Sequence, residues 1–492
     1  MPSLQDVCAE ALLRAPDRPV IEFEGRWRTW GELRKVAEDV QAALPPTGAS
    51  GLAPVVFVPR NHPAAIAALL GLIAQGRTIK MVYAFQSPAG IARDIERLGP
   101  GAVVADTRDF SPEVLEVLGR RGIRGVALDG LTAASLPGFE RGGETPEFAD
   151  AGEPRIEILT SGTTGPPKQF PLPYRLLEQH FLSTPLTRQL GDEVESQPPF
   201  LLYFPLGNIS GIYSTLPIII RGQRVVLHER FTVAGWRDYV VRYRPTHSGL
   251  PPSYVQQVLD HDIPATDLAS IRTMGVGAAP LDPSVQQAFE DRYGIPILVS
   301  YGATEFAGPV CAMTPELHAT FGRSKLGSVG RALPGARLRV VDPDTGAELA
   351  PGAEGLLEVV SPRIGPDWIR TSDVAMIDED GFLFHRGRAD GAIMRGGFKI
   401  LPETVERALM LHPAVSEAAV TGVPDSRLGQ VPAAAIRLKP GMEKPSTEDL
   451  EQHLRQQVLA THVPVKWAFC EDLPRTPSQK TDRVALRRLF EP

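Results

Sequence analysis

Apolar residues recur at helical spacing through TWGELRKVAEDVQAAL, residues 29–44, and then stand in one block in APVVFVP, residues 53–59. The first pattern predicts a helix with one buried face, the second a strand buried on both faces. The alternation continues. AAIAALLGLIAQG (64–76) reads as a buried helix, TIKMVY (78–83) as a strand, SPAGIARDIERLGP (87–100) as a helix and GAVVAD (101–106) as a strand. It returns in RVVLHER, GWRDYVVRYRP, HSGLPPSYVQQVL and IRTMGVG between residues 224 and 277. Strands alternating with helices predict parallel sheets covered on both faces, an α/β fold.

After Leu326 the texture changes. Residues 327–362 give short strands separated by Gly, Pro and Asp turns, which predicts a β-rich subdomain over about 327–389. The last hundred residues alternate again, with ETVERALMLHP, VSEAAVTGVPD, AAAIRLKP, TEDLEQHLRQQVL and WAFCEDLP. They predict a small α+β domain over 390–492, following a large domain over 1–389. A length of 492 residues suits such a multi-domain chain.

Composition narrows the function classes. The net charge is −7, with 51 basic and 58 acidic residues, so there is no basic footprint for nucleic acid. Cys8, Cys311 and Cys470 are odd in number and far apart, which fits reduced thiols of a cytoplasmic protein rather than a disulfide framework or a zinc cluster. The N-terminus, with Asp6 and Glu10, lacks a signal pattern, and AAIAALLGLIA is too short for a membrane span of about 20 residues.

The chemistry begins at RIEILTSGTTGPPK, residues 155–168. A strand runs into a turn in which Gly162 and Gly165 free the backbone to aim amides at an anion. Ser161, Thr163 and Thr164 add hydroxyls and Lys168 adds charge. Pro167 stands where the Walker pattern needs glycine, so the loop is of another kind. Three more segments follow in order: SYGATEFAG (300–308), the run from Trp368 through Glu406, and LPRTPSQKTDR (473–483). Together with GVGAAPL and HPAVSEAAVTGVPDSRLGQ, these segments resemble the adenylate-forming superfamily of acyl-CoA synthetases, peptide-synthetase adenylation domains and firefly luciferase. The resemblance is close from Ile156 to the C-terminus and only textural before it.

The resemblance implies an acyl-CoA synthetase, which joins a carboxylic acid to MgATP as an acyl-adenylate and passes the acyl group to coenzyme A. Thr160, Ser161, Gly162, Thr163, Thr164, Gly165 and Lys168 would hold the triphosphate. Thr304 would meet the α-phosphate and Glu305 would ligate Mg²⁺, a hard ion that favours oxygen. Tyr301 and Gly302 would pack on adenine opposite Gly277, Ala278 and Ala279. Asp373 would accept from the ribose, with Arg388 beside it. Lys480 would bridge the carboxylate and α-phosphate. Asp390 would be the hinge on which the small domain swings between an adenylating and a thioester-forming pose. In the second pose Gly396 and Gly397 would leave room for pantetheine. Arg395 and Lys399 either meet CoA phosphates or lie on a solvated face. Asn208, Gly275, Val276 and Ala307 would line the acyl pocket, and Asn208 favours an acid with a polar or ring feature. The family also admits a carrier protein as acyl acceptor and a homodimer as assembly.

The chain departs from the family pattern. Gln169, Ser372 and Gln479 replace glycines, Met394 replaces a common lysine, and Gly391 a common aspartate. The stretch VVSPRIGPDWIRTSD is short. These changes leave open a protein that performs only the thioester step, or one that binds nucleotide without catalysis. Retention of Lys168, Glu305, Asp373 and Lys480 argues for the full reaction.

Overall fold

The computed structural model describes residues 2–45, 53–141, 152–160, 168–182, 197–277, 279–395, 398–425, 427–476 and 480–491. The side chains of Thr160, Lys168, His180, Phe398 and Lys399 lie outside the description. The chain packs as two compact units, Met1–Pro245 and Thr246–Pro492.

The first unit is built on a seven-stranded sheet. Its order is Thr132–Ser135, Arg124–Asp129, Ala102–Asp106, Val55–Val58, Ile79–Met81, Arg155–Thr160, Lys168–Pro173. The five inner strands run parallel and each edge strand is antiparallel to its neighbour. All four residues of Val55–Val58 are buried, as expected of a strand with both faces covered. Helix Pro63–Ala74 is buried over nearly its whole length, which is why its sequence shows no polar stripe. A second, mixed sheet joins Phe200–Leu202, Val225–Leu227, Pro19–Phe23 and Arg26–Thr29. The hairpin between its last two strands turns at Glu24 and Gly25, both at positive φ (51° and 75°), which matches the strand twist.

The second unit contains three sheets among the described residues. In the first, His247–Leu250, Thr273–Val276 and Ile297–Ala303 are parallel, and Gly308–Ala312 and Arg331–Ala332 follow antiparallel. The second is an antiparallel meander of Arg337–Val341, Glu354–Val360, Ile369–Ile377 and Leu383–Arg388, in the range where the sequence texture changes. Val310 and Cys311 from the first sheet, with Phe306 from the turn before them, share a core with Val340, Leu357, Val359, Ala375 and Leu383 from the second, and so fix the two sheets together. The third sheet carries Phe398–Ile400, Ile393–Arg395, Gly429–Leu438 and Val415–Asp425, with Lys466–Phe469 parallel to Gly429–Leu438. Helices Pro402–Met410 and Thr447–Arg455 bury Val405, Leu409, Leu450 and Leu454 in its core.

The domain boundary expected at 390 and the division by packing are different lines, since residues after 390 share a compact unit with residues 246–389. Asp390 itself lies in a short 3₁₀ turn, Ala389–Gly391, between the second and third sheets. Among the described residues no helix is long and apolar enough to cross a membrane.

Candidate functional site

The strand Ile297–Ala303 and its antiparallel neighbour Gly308–Ala312 shift register between Tyr301 and Gly302. A bulge of this kind re-aims side chains at a strand end. Gly302 is required there: a Cβ would stand 2.5 Å from the Gly308 carbonyl oxygen and from the Pro309 Cα. The strand then closes into the 3₁₀ turn Thr304–Phe306, capped by Ala307 in the left-handed region at φ 53°. Buried Phe306 anchors the turn, leaving Glu305 exposed and Thr304 half-buried.

Asp373 stands on the neighbouring meander, directly opposite Arg388 in register. Tyr301 donates its hydroxyl hydrogen bond to Asp373 Oδ2, and His385 Nε2 lies 3.4 Å from Oδ1. Arg388 Nε is 3.9 Å from the same oxygen. Burial pushes the Asp373 carboxyl up, but the His385 and Tyr301 hydrogen bonds and the charges of His385 and Arg388 outweigh it and hold the group below the ordinary range. Burial, then the Asp373 charge, push the Tyr301 phenol up. The carboxylate is thus ionised and the phenol protonated at neutral pH, the states needed for one to accept from a diol and the other to present a neutral ring.

Arg388 also donates to both oxygens of Asp390, from Nε to Oδ1 at 3.0 Å and from Nη2 to Oδ2 at 2.6 Å. The ring closes through Ser372, whose Oγ accepts from Arg388 Nη2 at 2.6 Å and donates to Asp390 Oδ2 at 3.0 Å. Ser372, where the resemblance expects glycine, therefore joins Arg388 to Asp390.

Lys480 rides on a tight hairpin. Arg475 and Thr481 form an antiparallel bridge, Thr476 N–H donates to the Lys480 carbonyl at 2.7 Å, and Lys480 N–H donates to Thr476 Oγ1 at 3.2 Å. Surrounding protein lowers the Lys480 pKa, Arg388 lowers it further, and Glu305 and Asp373 pull it back up. These four charged groups, far apart in sequence, therefore share one electrostatic neighbourhood.

Other expected positions fall out differently. Gly277 lies close to Ser300, whose Oγ would stand 2.8 Å from an added Cβ and would have to turn away. Gly275 is exposed, Val276 is 3% exposed and Ala307 is fully buried. Ala279 is described and Ala278 is not. Asn208 is buried, and its Oδ1 accepts from Gly211 N–H at 2.7 Å as the N-cap of helix Ile209–Ile220. That oxygen is committed to the helix. Arg395 is half-buried, and its Nη1 donates to the carbonyls of Thr461 and Val463. Ser161, Gly162, Thr163, Thr164, Gly165, Gly396, Gly397 and Gln479 lie outside the described residues. Thr160 and Lys168 are placed by backbone alone, directly opposite each other at the base of the loop. Gln169 follows in regular extended pairing with Leu159, and its buried Nε2 has no hydrogen-bond partner among the described residues. His385 and Ser372 as partners of Asp373 and Asp390 have no local signal in the sequence, because the first contact crosses between strands and the second joins a strand to the 3₁₀ turn after the next one.

Comparison with known proteins gives a consistent result. The model of the AMP-binding enzyme family matches residues 8–366, and that of the AMP-binding enzyme C-terminal domain matches residues 404–480. The chain is 28% identical to 4-coumarate–CoA ligase 3 of Oryza sativa subsp. japonica, over 99% of this chain and 92% of the relative. It is 28% identical to 2-succinylbenzoate–CoA ligase of Geobacillus kaustophilus, over 96% of each. A crystal structure of the anthranilate CoA ligase AuaEII with anthranoyl-AMP superposes with a TM-score of 0.78 at 20% identity, covering 99% of this chain and 97% of that one.

Proposed function

The chain belongs to the AMP-binding enzyme family of adenylate-forming ligases, whose members similar to it are AMP-forming CoA ligases, and from that premise we propose that it activates a ring-bearing carboxylic acid with ATP and transfers the acyl group to coenzyme A. The observation that carries the reading is the Lys480 hairpin, set in the same electrostatic neighbourhood as Glu305, Asp373 and Arg388. Adenylation brings a carboxylate against a triphosphate, and the cost is like-charge repulsion at the α-phosphorus. A lysine at that point neutralises both anions as the bond forms. Lys480 stands exposed, where an incoming carboxylate and phosphate can reach its ammonium.

Asp373, ionised and gripped from both sides, is suited to accept two hydroxyls of a ribose. Tyr301 is fixed by its own bond to Asp373 and offers a rigid ring for stacking. Glu305 is a single exposed carboxylate at the lip of its turn, and among the described residues no cluster of three His, Cys, Asp or Glu side chains surrounds it. One carboxylate fits Mg²⁺, which keeps several waters and takes substrate phosphates as ligands. Bound there, the ion would supply charge neutralisation to the triphosphate. Ring-bearing acids are favoured because the relatives are named for coumarate and succinylbenzoate.

The test separates the two half-reactions. One assay follows pyrophosphate release from ATP across a panel of aromatic and straight-chain acids. The other follows thioester formation from a synthetic aroyl-adenylate and coenzyme A. Activity in both, with aromatic acids ahead by more than about tenfold, is expected, a margin of about 1.4 kcal/mol in transition-state binding. Thioester formation without pyrophosphate release would reduce the enzyme to its second half. A preference for straight-chain acids would overturn the substrate class.

A further inference from the structure

Helix Pro252–Asp260 ends on a carboxylate that is 7% exposed. Asp260 Oδ1 accepts from Gln256 Nε2 at 2.7 Å. Its Oδ2 accepts from Ser416 Oγ and Arg437 Nη2, each at 2.9 Å. Ser416 and Arg437 lie on the paired strands Val415–Asp425 and Gly429–Leu438, beyond the Ala389–Gly391 turn. Arg437 Nη2 then donates to Glu417 Oε1 at 3.0 Å, and Glu417 Oε2 accepts from Arg475. Arg475 is the residue bridged to Thr481 at the base of the Lys480 hairpin.

Four charges of alternating sign thus run without a break from helix Pro252–Asp260 to the catalytic hairpin. Asp260, Glu417 and Arg437 are 7%, 10% and 13% exposed, so their charges are satisfied by one another rather than by water. Three of the four members sit on the C-terminal elements, and Asp260 alone belongs to the earlier part of the chain. We propose that Asp260 is a positioning residue for Lys480: it holds the C-terminal elements, through Arg437, Glu417 and Arg475, in the pose that presents the lysine to the adenylation site. No part of the network touches the nucleotide-site residues Tyr301, Thr304, Asp373 or Arg388 in the contacts described. It acts on the arm, and through the arm on the lysine. The kinetic form of this inference rests on the proposed two-step reaction.

The experiment compares wild type with Asp260→Asn, which keeps the side-chain shape and removes the charge. Pyrophosphate release should fall about tenfold in kcat, with KM for ATP and acid within about twofold, as expected when a productive pose loses population. Thioester formation from the synthetic adenylate should hold or rise. In a cycle with Arg437→Gln, the double variant should lose less than the product of the single losses. Equal loss in both half-reactions, or no loss in either, overturns the proposal. Amide hydrogen exchange at Thr476 and Asp482, whose N–H groups close the hairpin, gives a readout independent of turnover. Faster exchange in Asp260→Asn supports the network even if wild type shows neither half-reaction, in which case the proposed reaction fails alone; unchanged exchange overturns the network. Should Asp260→Asn not fold, Ser416→Ala removes one hydrogen bond to the same carboxylate and must lower pyrophosphate release while thioester formation holds or rises; no such change counts against the proposal.

Discussion

Gln169 and Ser372 both stand where the family resemblance leads one to expect glycine, and the structure gives each an ordinary physical place. Gln169 occupies a strand position in regular pairing with Leu159, where any L-residue is allowed. Nothing in that backbone requires glycine. Gln169→Gly is expected to leave acid-dependent pyrophosphate release within about threefold of wild type, a difference of about 0.7 kcal/mol; a gain beyond tenfold would show that glutamine impairs the loop. Ser372 is different, because its hydroxyl closes the ring of Arg388 and Asp390. Ser372→Gly should slow adenylation several-fold while changing stability by less than about 1 kcal/mol, since the ring is partly exposed and screened. Repeating the assay at high salt should shrink the difference. An effect on melting without an effect on rate would make the ring merely structural. Asn208 shows what residue-level reading leaves out: its buried side chain caps helix Ile209–Ile220 through Oδ1, which fixes the side chain in place.

At the scale of elements, helix Pro402–Met410 carries a titratable pair beneath the third sheet. Glu406 accepts from Val420 N–H at 2.8 Å, and Glu403 accepts from Arg483 at 2.8 Å. Burial, then the neighbouring charge of Glu403, push the Glu406 carboxyl up to about 7. A carboxyl whose folded pKa lies above its unfolded value near 4.5 stabilises the fold while protonated. That contribution is complete below about pH 4.5 and is lost as pH rises through about 7. Glu406→Gln should therefore flatten the fall in Tm between these pH values and melt above wild type at pH 8; parallel pH curves for the two proteins would refute the assignment. The sequence makes this helix, and most long elements, legible through apolar spacing: the strand Val55–Val58 and the helix Trp30–Ala43 lie inside the stretches that predict them. It does not show the bulge at Tyr301 and Gly302, which depends on how closely another strand approaches. Nor does it show helix Leu4–Leu12 and the hairpin after it, whose patterns are short and whose burial comes from distant elements.

For the whole molecule, the motifs in order are enough to name the family, and each group proposed for the site sits within a local signature. What holds those groups in place is not local. Asp260 and Arg437 are 177 residues apart, and the carboxylate of Asp373 is gripped by Tyr301 from 72 residues away. Charge pairs of this kind leave no periodicity and no turn chemistry for a reading of the chain to find. The central claim is that Lys480 serves the first half-reaction and not the second. The direct measurement is Lys480→Ala assayed in both. Pyrophosphate release should drop about a hundredfold or more, the usual scale for removing one charged stabiliser of a transition state, while thioester formation from a supplied acyl-adenylate stays within about threefold, a difference of about 0.7 kcal/mol. Equal loss in the two assays would contradict the account.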